Sequence, residues 1–245
     1  MSSKSDRIFK AKTCEQAERY EDMIKEFRDV IKANPALEPE ERNLFSSAFK
    51  NQIGSRRTAF RALATIEKKE ESKGSSKVQL IKDFKKKIED EIGAICQEVV
   101  DLVDTKLLPA ATKEDAKLFY IKLKGDYYRY YCECLSGDTL KSIAEKARLA
   151  YEDATKNAEK SLPVTDSIRL GLALNFSVFN FEILNDDQTA CKIAKDAFDQ
   201  AITQLEGLDD EQYKDSASIL QLLRDNLTLW QQNEGNEGGE QVENL

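Results

Sequence analysis

Apolar residues recur at three- and four-residue intervals along most of this chain, and proline and glycine fall between the runs instead of within them. That spacing is the signature of amphipathic helices, and no alternation of the two-residue kind competes with it. The pattern predicts helices near 4–18, 20–34, 39–70, 76–107, 113–135, 138–161, 166–184, 188–205 and 211–232. Pro35, Pro39, Pro109 and Pro163 mark stops and restarts, and Gly74, Gly137 and Gly207 fall in three further gaps. The fold class is therefore all-α. Residues 1–232 read as one helical domain, and residues 233–245 as an acidic, glycine-rich tail too poor in apolar residues to offset chain entropy. Such a tail solubilises, or competes with ligands for a basic groove to which it is tethered.

Three of the expected helices break their own pattern. In 169–183, RLGLALNFSVFNFEI, an otherwise core-like helix carries Gly171, Asn175, Val178 and Glu182 on one stripe. In 42–61, RNLFSSAFKNQIGSRRTAFR, Lys50, Gly54 and Arg57 stand at i, i+4 and i+7, with Arg61 a turn beyond. Glycine inside a helix costs about 1 kcal/mol relative to alanine, so a glycine between two cations suggests close approach to the backbone. In 117–133, KLFYIKLKGDYYRYYCE, Gly125 precedes Arg129 by one turn, and Tyr130 follows. Lys50, Arg57, Arg129 and Tyr130 are convergent donors of the kind that suits a tetrahedral dianion. A solvated helical face with packing glycines is the alternative reading of the same residues.

Composition narrows the chemistry. A net charge of −8 argues against nonspecific nucleic-acid binding, which draws its affinity from basic surface. The chain has no histidine, the commonest general base and metal ligand, and its five cysteines form no CxxC pair. Neither a metal or other cofactor nor Cys/His catalysis is expected. An odd number of cysteines, a polar start MSSKSDR and no apolar run of membrane length suggest a reduced protein of the cytoplasm or nucleus, with no membrane partner and with most thiols buried as small hydrophobes.

Taken together, RNLFSSAFKNQIGSRR, GDYYRY, RLGLALNFSVF and LLRDNLTLW closely resemble the signature segments of the 14-3-3 family, in order and spacing, from about residue 6 to residue 232. The resemblance implies nine antiparallel helices forming a cup-shaped subunit with a concave ligand groove, and a dimer made through the N-terminal helices. It implies a nonenzymatic adaptor that holds phosphoserine or phosphothreonine segments of client proteins, as a homodimer or a heterodimer with a paralogue. Recognition of phosphorylated motifs by arginine clusters is a known binding mode of this family. Matched residue by residue, the phosphate set falls on Lys50, Arg57, Arg129 and Tyr130. The groups that hold the ligand backbone fall on Asn175, Asn226, Lys122 and Glu182, and the apolar groove wall on Leu174, Val178, Ile219, Leu222 and Trp230. The dimer contact falls on Ala17, Ala59, Leu63 and Phe84, with cross-subunit ion pairs Arg19 to Glu91 and Asp22 to Lys87.

Several positions depart from the family pattern. Asn180 and Phe181 replace a tyrosine pair, Phe60 a tryptophan, and Ser218 a wall leucine. Ala59 and Asp186 stand where some members carry phosphorylatable serines, so regulation of this protein by its own phosphorylation is expected to matter less. Thr13 and Cys14 replace more apolar or smaller residues near the dimer seam. A helical scaffold that binds unphosphorylated surfaces is the runner-up. An enzyme is a distant third, since no phosphate-cradling glycine loop or metal-carboxylate motif is present.

Overall fold

The computed structural model describes residues 3–237, and among these every regular element is helical. Nine helices follow one another: α1 Lys4–Gln16, α2 Tyr20–Ala33, α3 Pro39–Ser72, α4 Val78–Leu102, α5 Glu114–Cys132, α6 Gly137–Ser161, α7 Ser167–Glu182, α8 Asp187–Ile202 and α9 Asp210–Glu237. Their starts follow from local chemistry. Ser3 and Asp6 form a reciprocal capping box on α1, and Glu38 and Glu41 do the same for α3, where Pro39 takes the first position. Asp166 caps α7 through the Ile168 and Arg169 amides, and Asp186 caps α8 through that of Thr189.

Several boundaries differ from the sequence expectation. The fourth helical path does not stop at 107. It widens into a π turn, Val103–Leu107, in which the Leu108 N–H reaches back to the Val103 carbonyl, and then closes with Leu108–Ala110. Pro109, which has no N–H to give, is accommodated in the short turn that follows. The last helix runs five residues past its expected end at 232, and residues 238–245 of the expected tail lie outside the described residues.

The chain divides into two compact units, residues 1–143 and 144–245. In the first, α1 packs on α2, α2 on α3, α3 on α4, and α4 on α5. Lys85 pairs with Glu67, Lys82 with Glu71, and Arg56 with Glu91, so α3 and α4 run antiparallel. Its core is continuous and includes Met23, Phe27, Phe45, Phe49, Ile53, Ile92, Val99, Tyr120 and Tyr127. The Phe27, Phe45 and Phe49 rings meet edge-on or tilted at 5.9 and 5.0 Å. Gly93 lies at a close approach: a Cβ there would sit 2.9 Å from the Tyr131 hydroxyl oxygen, and the Tyr131 ring would have to shift.

In the second unit α7 packs on α8, and α9 on both. Leu170, Ala190, Ala194, Ala201, Leu220, Leu223 and Trp230 form its core, and small alanines let α8 seat closely. Tyr151 stacks on Phe176 at 5.4 Å and meets Phe179 tilted at 5.5 Å, and the buried Ser216 hydroxyl donates to the Thr165 carbonyl at 2.6 Å. Among the described residues no helix is long and apolar enough to cross a membrane.

Candidate anion-binding site

In the first unit α3 and α5 bring four of the singled-out groups and one overlooked residue to one place. Arg57 lies on α3 and grips Glu133 with two hydrogen bonds, Nε to Oε2 at 2.9 Å and Nη2 to Oε1 at 2.5 Å. Arg61, one turn on, donates to the same carboxylate at 2.9 Å, and Arg129 Nη1 lies 3.9 Å from it. Both guanidiniums also pack on Tyr130, with Arg57 Cζ 4.1 Å and Arg129 Cζ 4.7 Å from the ring centroid. Arg129 and Tyr130 are buried, while Arg57 retains 20% side-chain exposure and Arg61 62%. The assembly is two guanidiniums against one aromatic ring, pinned by a carboxylate.

Lys50 completes the stripe at helical spacing from Gly54, Arg57 and Arg61. It is exposed and has no ion pair among the described residues. A Cβ built on Gly54 would meet nothing within 4 Å, so the fold itself does not demand glycine there. Burial pushes the Tyr130 phenol above its usual range, Asp126 pushes it further, and Arg129 and Arg57 offset part of the rise. The hydroxyl thus remains a hydrogen-bond donor at neutral pH. Lys122, expected among the backbone-binding groups, is paired with the buried Asp126 at 2.7 Å on the same helix. Cys132 and Cys134, at the end of α5, are pushed up to about 12, with burial the leading cause, and are not poised as nucleophiles.

The second unit holds the rest. Asn175 and Asn226 are half-buried, and Glu182 is exposed. Leu174, Val178 and Ile219 pack partly buried against the unit's core, and Leu222 is 51% exposed. Trp230 is 4% exposed and belongs to that core. The Ser218 hydroxyl folds back onto its own helix and donates to the Lys214 carbonyl at 2.8 Å. Asn180 is buried and donates to the Phe176 carbonyl at 2.8 Å, which satisfies one arm of an amide where the family's pattern has tyrosine.

The residues expected at a dimer seam all lie in the first unit. Ala17, Arg19 and Lys87 are exposed, Phe84 is 52% exposed, and Ala59 and Leu63 are half-buried. Within the subunit Arg19 pairs with Asp22 and Glu91 with Arg56.

Glu133 was not singled out by the sequence pattern. Its partner Arg57 is 76 residues away, and a lone glutamate at the end of a helix carries no periodic signal.

Cations gathered on an aromatic ring in an all-helical chain form a set that can hold an anion, and comparison with known proteins gives the family. The model of the 14-3-3 protein family matches residues 10–231. Relatives include a 14-3-3 protein homolog of Trichoderma harzianum, 52% identical over 230 residues covering 94% of this chain and 88% of that protein. The checkpoint signal transducer rad25 of Schizosaccharomyces pombe is 50% identical over 230 residues, covering 94% and 85%. The 14-3-3-like protein GF14 iota of Arabidopsis thaliana is 49% identical over 245 residues, covering 98% and 91%. The chain belongs to the 14-3-3 family. It is a noncatalytic adaptor that binds client proteins.

Proposed function

We propose that the α3–α5 cluster holds the phosphate of phosphoserine or phosphothreonine segments in client proteins. The supporting observation is the convergence of Arg57 and Arg129 on the buried Tyr130 ring, with Lys50 on the same stripe as Arg57. Phosphorylation adds about −1.5 to −2 charge and three acceptor oxygens, which such donors read where a serine hydroxyl offers them little. The open space above Gly54 supports close approach of a ligand to the α3 backbone. For the segment flanking the phosphate, the family pattern assigns Asn175, Asn226, Lys122 and Glu182 to the ligand backbone. It assigns Leu174, Val178, Ile219, Leu222 and Trp230 to the apolar wall, with the 4% exposure of Trp230 limiting its share to an edge. Those roles rest on the resemblance.

The test is retention of a phosphopeptide with and without prior phosphatase treatment. Retention of the phosphorylated form alone is expected, and Lys50→Glu should lower affinity at least tenfold, since it removes a donor and adds an anion. Equal retention of both forms by the unmodified protein would replace this reading with the scaffold one, in which exposed apolar residues such as Leu222 and Leu229 do the binding.

We further infer that the protein acts as a dimer through α1, α3 and α4, where Phe84 is exposed beside the expected seam residues.

A further inference from the structure

Glu133 occupies an unfavourable place for an anion. It is the C-cap of α5, where the helix dipole is negative, and its side chain is only 13% exposed. What holds it there is the set of guanidiniums: two bonds from Arg57, one from Arg61, and Arg129 at 3.9 Å. The carboxylate therefore occupies donors that the proposed phosphate would use.

We propose that Glu133 is an internal competitor for the phosphate site, one that sets the affinity threshold below which free inorganic phosphate is not held. The proposal rests on the reading of the α3–α5 cluster as that site. Two effects of Glu133 oppose one another. It orders Arg57 for binding, and it repels and competes with an incoming anion. Ordering one long side chain is worth about two- to tenfold in affinity. Arg57 keeps a second anchor in the Tyr130 ring at 4.1 Å, so little of that order depends on the carboxylate. Repulsion between a fixed anion and a dianion at neighbouring positions in a half-buried site is the larger effect. The competitor weakens every anion alike. A phosphopeptide recovers the loss through contacts along its chain, whereas free phosphate has no such contacts and falls below useful occupancy.

The arrangement also accounts for how several guanidiniums, one of them buried, are tolerated without a ligand. Removing one partner of a partly buried charge cluster leaves the others less well compensated, so loss of Glu133 should destabilise the free protein while it strengthens anion binding. Ordinary structural carboxylates do not show that pair of opposite signs.

The experiment compares the full chain with Glu133→Gln, a nearly isosteric change, using inorganic phosphate and one phosphoserine peptide as probes. Calorimetry should show both bound at least tenfold more tightly by the variant, with the ratio of the two affinities unchanged. The variant's unfolding temperature should be lower without ligand and should recover further on adding phosphate than that of the unmodified protein. Glu133→Asp, which keeps the charge but withdraws it, should bind phosphate with intermediate affinity, and it serves if the glutamine variant fails to fold. Unchanged or weaker phosphate binding by the folded variants would overturn the proposal and make Glu133 a positioning residue for Arg57. If the unmodified protein ignores peptide phosphorylation, the underlying functional reading fails instead.

Discussion

Phe181 lies flat against Trp230, with ring centroids 4.7 Å apart and planes within 15° of parallel. Phe181 departs from the family's tyrosine pair, and the contact shows what it does: it supplies an apolar face for the chain's single tryptophan inside the core of the second unit. A tyrosine hydroxyl on this face would need a polar partner there, and phenylalanine does not. Its neighbour Asn180 meets the same requirement differently, by donating to its own helix.

Gly54 tests close approach of ligand to α3. Gly54→Ala meets no atom within 4 Å and removes a helix-interior glycine, so it should stabilise the free protein by about 1 kcal/mol, raising Tm by about 2–4 °C. The same methyl group should weaken phosphopeptide binding about tenfold. Thermal unfolding and fluorescence polarisation read the two effects. Raised stability with unchanged affinity would show that no ligand approaches the backbone at this turn.

Dimerisation through the first unit is checked by sedimentation at micromolar concentration, where a dimer is expected. Exposed ion pairs are individually worth about 0–1 kcal/mol, and Arg19, Asp22 and Glu91 already have partners within the subunit, so the apolar residues should dominate. Phe84→Asp should therefore yield monomer. Joint reversal at Lys87 and Glu91 should weaken the dimer less. A clean monomer of the unmodified protein at those concentrations would contradict the assignment.

Ser218 is exposed, four residues before the exposed Leu222, and its hydroxyl bonds only to its own helix among the described residues. Ser218→Leu thus disturbs little of the fold and adds apolar surface. It should tighten binding of phosphopeptides with apolar flanks by up to about tenfold, or 1.4 kcal/mol, since a wall leucine is only partly buried. Peptides with polar flanks should be nearly unaffected. Equal responses in polarisation assays would mean that position 218 does not touch ligand.

Alkaline pH should unfold the protein progressively. Tyr120, Cys132 and Cys134 are each raised to about 12, with burial as the leading cause, against unfolded values near 10 for tyrosine and 8.5 for cysteine. The folded state therefore holds these protons more tightly, so the contribution is complete below about pH 8.5 and is lost as pH rises towards 12. Circular dichroism across that range should show the decline, and alkylation of Cys132 and Cys134 at pH 8 should be slow until the chain unfolds. Fast alkylation of the native protein would contradict the burial argument.

The helices were legible because each is amphipathic over several turns, and many of their ends because proline and glycine sit at them. The π turn was not, since Val103 to Leu107 reads as ordinary helix and only the bond from Leu108 to Val103 reveals the widening. Lys50, Arg57, Arg129 and Tyr130 stood out because cations recurred beside helix glycines. Glu133 was invisible because its meaning lies in a contact across 76 residues, and the partner Lys122 finds in Asp126 looked like an ordinary pair of helix charges. Phe181 read as a bare departure until Trp230 appeared beside it.

The cluster of Arg57, Tyr130 and Arg129 bears on how anion binding would respond to acidity. Guanidinium groups hold their charge throughout the physiological range, the buried phenol keeps its proton, and the chain contains no histidine. The face offered to an anion is thus the same at pH 6 and at pH 8. A phosphate ester changes charge near pH 6. On the proposed reading, any swing in phosphate affinity across that interval comes from the ligand, and the site acts as a fixed gauge of its partner's ionisation.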